Sequence, residues 1–291
     1  MTGLLVEVGR RLAERWLSVL VLPGLLLVAA LSTGLLLGQG DALSARRLAD
    51  AATDMARRLQ ADGSATVLLT GLAALLGAGA AGLAAQGLGR LVRAVWLGDW
   101  PQWATPARSR LSQRRSRQWQ NHQAGLEEAA AAGRDPSGFA RRRNRISLAP
   151  PVRPTWMGDR LAGADVRVFA EYRLDLAACW PRLWLVLPED VREELRTASG
   201  ALDAAAVLAG WAVLYAFAGV VWWPASLVAV AVYATGRYRA RIAAATFADL
   251  IESTVDLYGG ALCTALGLAA AETPLTPELG AAVTSRCRKG A

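Results

Sequence analysis

The chain contains 291 residues, of which 54% are hydrophobic and only 19% are charged, whereas soluble domains carry about 25% charged residues. The hydrophobic residues gather in uncharged runs long enough to cross a bilayer, which excludes an ordinary soluble globular protein. The net charge of +8 comes almost entirely from arginine, and one histidine and three separated cysteines leave little material for metal or nucleophile sites.

The N-terminal region contains an uncharged run dominated by leucine and valine, residues 16–39. A membrane-spanning helix needs about 20 residues, whereas the apolar core of a signal peptide has about 7–15. The run is longer than such a core, and no cleavage site with small residues precedes a plausible mature start. We therefore predict a membrane-spanning helix over 16–38.

The following segment, residues 40–63, places Leu43, Leu48, Met55 and Leu59 near helical spacing with charged residues between them. This pattern is typical of an amphipathic helix. We predict that the helix lies on the outer face of the membrane or packs over the spans.

A second uncharged run, rich in glycine and alanine, predicts a span over 64–89 and completes an N-terminal pair of membrane helices within 1–98. Residues 77–82 match the dinucleotide fingerprint GxGxxG, but that fingerprint requires a preceding strand, which cannot lie unpaired in lipid. We interpret the small residues of this run as sites of close helix packing. These residues are Gly71, Ala78, Gly79 and Gly82.

The connector, residues 99–197, is the only part large enough for a domain outside the membrane, and its pattern predicts a basic helical domain in the cytoplasm. Helical patterns cover 111–132 and 155–178. The segment between them, 134–154, contains four prolines and a run of arginines, a composition typical of a flexible linker. A further helix is expected to start near 189 and to continue into the next span.

Two arginine clusters of the connector are candidate binding residues. Clustered cations attract the anionic headgroups of lipids, at about 1 kcal/mol for each basic residue near the surface. An acidic protein partner is an alternative, and nucleic acid is the least favoured ligand. The candidate residues are Arg114, Arg115, Arg117, Arg141, Arg142, Arg143 and Arg145.

The third uncharged run, residues 204–236, is too long for one vertical helix. Pro224 follows Trp222 and Trp223 at its centre, and proline disfavours a helix at the residue before it, while tryptophan prefers the membrane interface. We therefore predict a helical hairpin within 198–242, with spans over 200–221 and 225–242.

Charge distribution predicts the orientation of these spans, because basic loops stay in the cytoplasm. The connector begins with Arg90 and Arg93, and the second arm of the hairpin is followed by Arg237, Arg239 and Arg241. Only a four-span arrangement in the inner (cytoplasmic) membrane, with both termini in the cytoplasm, places all of them inside. The tail, residues 243–291, is then expected in the cytoplasm as an amphipathic helix with a proline-punctuated end.

Further tryptophans are candidate interface residues. Trp96, Trp100 and Trp103 open the connector and suit the headgroup layer. Trp180 and Trp184 lie four residues apart, on one face of a helix, with Arg182 between them. We interpret this second group as packing at the membrane interface or in the core, with a partner site as the alternative.

The block from 153 to 188 resembles a family of uncharacterised bacterial multi-pass membrane proteins, in which the pattern LGN…RYGxDA…WPRLWxLLP precedes paired hydrophobic helices and a DLYR segment. The resemblance covers about 154–279 and is carried by Trp180–Trp184 and by Asp256, Leu257 and Tyr258. Gly259 replaces the usual arginine, and Asp159 stands where asparagine is common. The resemblance implies a membrane protein and carries no established activity.

No motif predicts a catalytic, cofactor-binding or metal-binding residue. His122 has no second histidine with which to bind a metal, and no CxxC motif occurs. We expect a non-catalytic, all-α membrane protein that anchors or scaffolds its basic cytoplasmic domain for protein partners or anionic lipid. The alternative is an oligomeric subunit that permeabilises the membrane, and a lipid-modifying enzyme using Asp159, Asp175 or Asp203 is a third class without a recognisable constellation.

Overall fold

The computed structural model describes residues 21–61 and 63–289, and its regular structure in that part is entirely helical. Helix accounts for 82% of the structure, and no strand occurs among the described residues. The all-α prediction is therefore confirmed. The helices are α1 (Leu22–Leu37), α2 (Ala45–Ala61), α3 (Ser64–Leu97), a 3-10 turn (Gln102–Ala104), α4 (Thr105–Ala131), α5 (Ser137–Ile146), α6 (Trp156–Tyr172), α7 (Leu176–Val186), α8 (Glu189–Ala218), α9 (Trp223–Ala265) and α10 (Pro277–Arg288).

The chain divides into two compact units. The first comprises the described residues up to Val92 together with Asp203–Tyr238, and the second comprises Arg93–Leu202 and the described residues from Arg239 onward. Helices α3, α8 and α9 each contribute residues to both units.

Glycine allows three helices of the first unit to approach closely. A Cβ atom on Gly24 of α1 would lie 2.8 Å from the Cα atom of Ala78 in α3, and one on Gly89 of α3 would lie 2.9 Å from the Cα atom of Val207 in α8. A Cβ atom on Gly210 would overlap the carbonyl oxygen of Ala85. Side chains at these glycines would separate the helices. Helix α3 can therefore pack between α1 and α8 because the residues at both contacts are small.

Helices α8 and α9 form an antiparallel hairpin in the first unit. A Cβ atom on Gly236 of α9 would lie 3.1 Å from the carbonyl oxygen of Ala205 in α8, far along both helices from the turn that joins them. Gln39 closes the turn: its Nε2 donates to the carbonyl of Val220 at 2.5 Å, and its Oε1 accepts from the Trp223 N–H at 3.0 Å. The indole of Trp222 donates to the Ala42 carbonyl at 2.9 Å.

Two helical stretches among the described residues are long and apolar enough to cross a membrane, Ser64–Ala131 and Glu189–Ala218. In the first of these the apolar part is α3, because α4 is rich in arginine. Helix α1 is apolar and, with 16 residues, is shorter than the two candidate spans. Residues 16–20 of the first predicted span lie outside the described part. The structure thus shows a helical protein with two candidate membrane-spanning helices.

The core of the second unit lies where α6, α7, α9 and α10 meet. Its fully buried members include Leu174, Leu183, Val255 and Leu262. Thr284 of α10 donates to the Arg173 carbonyl at 3.1 Å and accepts from the Asp175 N–H at 2.9 Å, which fixes α10 at the turn between α6 and α7.

The turn between α6 and α7 interrupts the single helical stretch expected over 155–178. Arg173 adopts a left-handed conformation with φ of 55°, which ends α6. Asp175 then begins α7, since its Oδ1 accepts from the Ala178 N–H at 3.1 Å. The second arm of the hairpin and the helix of the tail, predicted as separate elements, form one continuous helix, α9, which no proline interrupts after its first turn.

The segment 134–154 differs from the flexible linker that its composition indicates. It contains helix α5, and just before this helix Asp135 Oδ1 accepts a 2.9 Å hydrogen bond from the Ser137 N–H. The prolines flank this helix and do not interrupt it. Ser147 and Ala149 beyond the helix are buried. The segment is therefore a packed part of the second unit.

Candidate interaction surface

Helix α4 carries three of the seven predicted binding arginines, α5 carries the other four, and α4 is well defined at both ends. Pro106 lies in its first turn, where the missing N–H costs no hydrogen bond. Gly133 follows its C-terminus with φ of 66°, the left-handed conformation that glycine adopts most readily after a helix. Because side chains three or four residues apart share a face of a helix, arginines that are adjacent in the sequence of α4 point in different directions.

Arg115 points into the second unit and pairs with Asp159 of α6. Its Nε and Nη2 donate to Asp159 Oδ2 at 2.9 and 2.7 Å, and Nη2 also donates to the Ile146 carbonyl at 2.9 Å. The other carboxylate oxygen accepts from the N–H groups of Val152 and Arg153 at 2.8 and 2.7 Å. The Asp159 side chain is only 1% exposed. This ion pair therefore joins α4, α6 and the segment after α5, and Arg115 has no free charge to offer a partner.

Arg143 of α5 is also used internally. Its guanidinium lies 5.7 Å from the ring centre of Trp119 in α4, close enough for a cation–π interaction. Its Nη1 donates to the side-chain oxygen of Gln123 at 2.7 Å. The indole N–H of Trp119 donates to the Ser147 carbonyl at 3.0 Å. These contacts hold α5 against α4, so Arg143 contributes to packing.

The remaining predicted arginines lie at the surface. Arg114 and Arg117 are exposed on α4, together with Arg110, which belongs to the same arginine cluster of 108–117. These three line a shallow groove of about 310 Å³ with Gln113, Gln118 and Asn121. Their spacing of four and three residues places them on one helical face, a signal that the sequence contained. The exposed arginines of α5 are Arg141, Arg142 and Arg145.

Charge balance separates the two sets of arginines. Arg153, Arg160, Arg167 and Arg288 form ion pairs within the second unit, with Asp99, Asp249, Glu252 and Asp175. Within the described part of the chain, the three arginines of the α4 groove have no such carboxylate partner and the groove contains no acidic residue. Their positive charge is therefore directed to solvent or to a ligand.

The tryptophan–arginine group of α7 packs against the core of the second unit. Trp180 and Trp184 are half-buried, with ring centres 6.0 Å apart. Arg182 donates from Nη1 to the Ala178 carbonyl at 2.8 Å. Arg196 lies 5.5 Å above the Trp184 ring. In the first unit, Trp222 is fixed by its bond to Ala42, while the Trp223 side chain is partly exposed.

The predicted packing residues of the second span occupy different environments. Ala78 and Gly82 are buried, and Ala78 meets Gly24 as described above. Gly71 is exposed, and a Cβ atom on Gly71 or Gly79 would meet nothing within 4 Å. Among the described residues, two of these four positions therefore pack within the chain.

The three cysteines are buried in the second unit. Burial raises the pKa of the Cys179 and Cys263 thiols, which disfavours the reactive thiolate. No group of three histidine, cysteine or acidic residues that could hold a metal ion occurs within 21–61 and 63–289. No protein-family model, curated protein or solved structure matches the chain.

Proposed function

We propose that the protein is a non-catalytic scaffold of the inner (cytoplasmic) membrane, which anchors a basic cytoplasmic unit and presents it to acidic partners. The observation that carries this proposal is the division of arginines in the second unit. Several of them pair with acids within the unit, Arg115, Arg153, Arg160 and Arg167 among them, whereas the arginines of the α4 groove are exposed without such a partner in the described part of the chain. A surface of this kind attracts negatively charged partners through unneutralised charge.

The apolar surface of α3 supports membrane insertion. Its large side chains are exposed along most of the helix, including Leu68 at 73% and Leu76 at 66%. Monomeric soluble proteins rarely expose continuous apolar patches larger than a few hundred Å². In a bilayer the same side chains would contact lipid tails at no cost.

Four spans are part of the proposal, with α1, α3 and the two arms of the α8–α9 hairpin crossing the membrane. The charge distribution supports this topology, because basic residues follow both α3's apolar part and the second arm of the hairpin. The amphipathic helix α2 then lies outside, and α4 to α7 and α10 lie in the cytoplasm.

Labelling of introduced cysteines tests the topology. Ala52 of α2 and Ala130 of α4 are both exposed small residues, so Ala52→Cys and Ala130→Cys form a matched pair. In intact bacterial cells, a membrane-impermeant maleimide should label the first variant only, and permeabilisation should expose the second. The unsubstituted protein measures background from the buried native cysteines. Labelling of Ala130→Cys from outside would refute the proposal.

Gentle detergent extraction followed by native mass measurement tests the scaffold itself. Anionic phospholipid or an acidic cytosolic protein retained at a fixed ratio, and lost when Arg110, Arg114 and Arg117 are changed to glutamine, is the expected result. A homo-oligomer without partners that releases dye from liposomes would instead favour a pore.

A further inference from the structure

One face of α4 and of the turn before it remains exposed along several helical turns. It consists of Trp103, Ala107, Arg110, Leu111, Arg114 and Arg117, and we call it the α4 face. Trp103 is 83% exposed, unlike Trp96, which is buried, and Trp100, whose indole donates to the Val95 carbonyl. The opposite side of α4 carries Arg115 and Trp119, which pack inside the second unit. The α4 face is thus a surface left uncovered within the described chain.

The chemistry of the α4 face suits phosphate groups. Every residue that lines its groove carries a side-chain hydrogen-bond donor, from three guanidinium groups and three amides, and none is acidic. Guanidinium groups bind phosphate oxygens through paired, charge-assisted hydrogen bonds. The three arginines lie over about 10 Å of helix, since each residue advances the helix by about 1.5 Å. Several phosphates at once can therefore be engaged.

The exposed apolar side chains favour an extended phosphate-bearing surface, and not a single free phosphate ion, as the ligand. Trp103 begins the face and Leu111 lies within it, and a free anion offers neither of them a partner. Helices that lie on anionic bilayers combine a basic face with tryptophan and leucine, because the rings settle among headgroups while cations meet phosphates. Trp103 also follows closely after Arg90, the first charge beyond the apolar part of α3, so the chain tethers it near the membrane.

We propose that the α4 face lies on the anionic phospholipid headgroups of the membrane that the first unit spans, with Trp103 at headgroup depth and Arg110, Arg114 and Arg117 on lipid phosphates. This inference rests on the proposed function and specifies the acidic partner of that surface. Arg115 and Arg143 are excluded from the contact, because their charges are used inside the unit.

A spin label at Ala107→Cys tests the contact in the full-length protein. The variant is reconstituted in nanodiscs of phosphatidylcholine alone or mixed with phosphatidylglycerol. Accessibility of the label to oxygen and to a water-soluble nickel chelate then reports lipid or water around it. We expect the anionic discs to lower nickel accessibility and raise oxygen accessibility. Changing Arg110, Arg114 and Arg117 together to glutamine should lower the ratio of membrane-contacting to water-exposed label on the order of 100-fold, about fivefold for each arginine.

The matched control changes Arg141, Arg142 and Arg145 of α5 to glutamine, which removes the same charge from another exposed helix. It should leave the label unchanged. The proposal is overturned if both triple variants act alike, if the two kinds of nanodisc give the same accessibility, or if excess inorganic phosphate at constant ionic strength releases the label. The last result would assign the groove to free phosphate.

Failure of this inference can be separated from failure of the scaffold proposal. A water-exposed label in anionic discs, with Ala130→Cys labelled only from the cytoplasm, overturns the lipid contact alone. Binding of an acidic protein to the α4 face in neutral discs also overturns the lipid contact alone. External labelling of Ala130→Cys overturns both.

Discussion

Changing Arg115 to alanine should destabilise the segment that joins α4, α5 and α6 by about 3–5 kcal/mol. The substitution leaves the Asp159 carboxylate, 1% exposed, without its cation, and an unpaired buried charge carries a penalty of this size. It also removes the donor to the Ile146 carbonyl. Native domains are stable by only about 5–15 kcal/mol, so the loss is a large fraction of the total.

A second substitution distinguishes lost charge pairing from lost packing. Asp159→Asn is neutral, and its side-chain oxygen can still accept from the N–H groups of Val152 and Arg153, as the carboxylate does. Combined with Arg115→Ala, it should recover part of the lost stability, on the order of 1–3 kcal/mol, because no buried charge remains. If Arg115 acted only through the packing of its carbon chain, the double variant would be no more stable than Arg115→Ala.

Native-state hydrogen exchange measures the effect. The amides of Val152 and Arg153 report local opening directly, since both donate to Asp159. Trypsin cleavage within 141–145 gives a second measure of opening. The control is Arg114→Ala, which removes the neighbouring exposed arginine and should change stability by no more than about 0.5 kcal/mol. Equal effects of the two substitutions would refute the assignment of Arg115 to a structural ion pair.

Three further outcomes are expected. Gly210→Ala should lower the free energy of unfolding by about 1–3 kcal/mol, and with it the melting temperature, because the new methyl group meets the backbone of α3. Gly71→Ala, which lies in open space, should raise the melting temperature slightly. Hydrogen bonds from Arg288 and from the first turn of α7 hold the pKa of Asp175 below its usual range. The stabilisation is therefore fully present above the ordinary carboxyl pKa and is lost as pH falls through the lowered pKa. Asp175→Asn should reduce this loss of stability at acidic pH, and an unchanged dependence on pH would contradict the pairing. Maleimide should label Cys179 slowly in the native protein at mildly basic pH and rapidly after denaturation, as mass spectrometry would show, because burial raises its thiol pKa.

The helices could largely be predicted from the sequence, since their signals are local. The amphipathic pattern of 40–63 corresponds to α2, and the tryptophans before Pro224 mark the turn between α8 and α9. The proline content of 134–154 as a whole indicates a linker, although helix α5 lies between the prolines. Proline affects the backbone at its own position and the one before it, so a helix lying between prolines is undisturbed.

Packing partners of the small residues could not be predicted, because they depend on neighbouring helices. Gly71, Ala78, Gly79 and Gly82 share one pattern in the sequence, yet among the described residues only Ala78 and Gly82 of these four are buried. The decisive positions lie on the other helices. Gly24 and Gly210 admit the backbone of α3, and neither belongs to a motif of the second span.

The arginines of α4 show why clustering in the sequence is a weak guide to binding. Arg114 and Arg115 are adjacent, but a helix turns about 100° between neighbours, so one reaches solvent and the other reaches Asp159. Asp159 is distant in sequence, so composition could not identify this pairing. Helical spacing could have joined Arg110 to Arg114 and Arg117, since residues three and four apart share a face. The charge available to a partner is therefore set by helical phase together with the positions of buried acids.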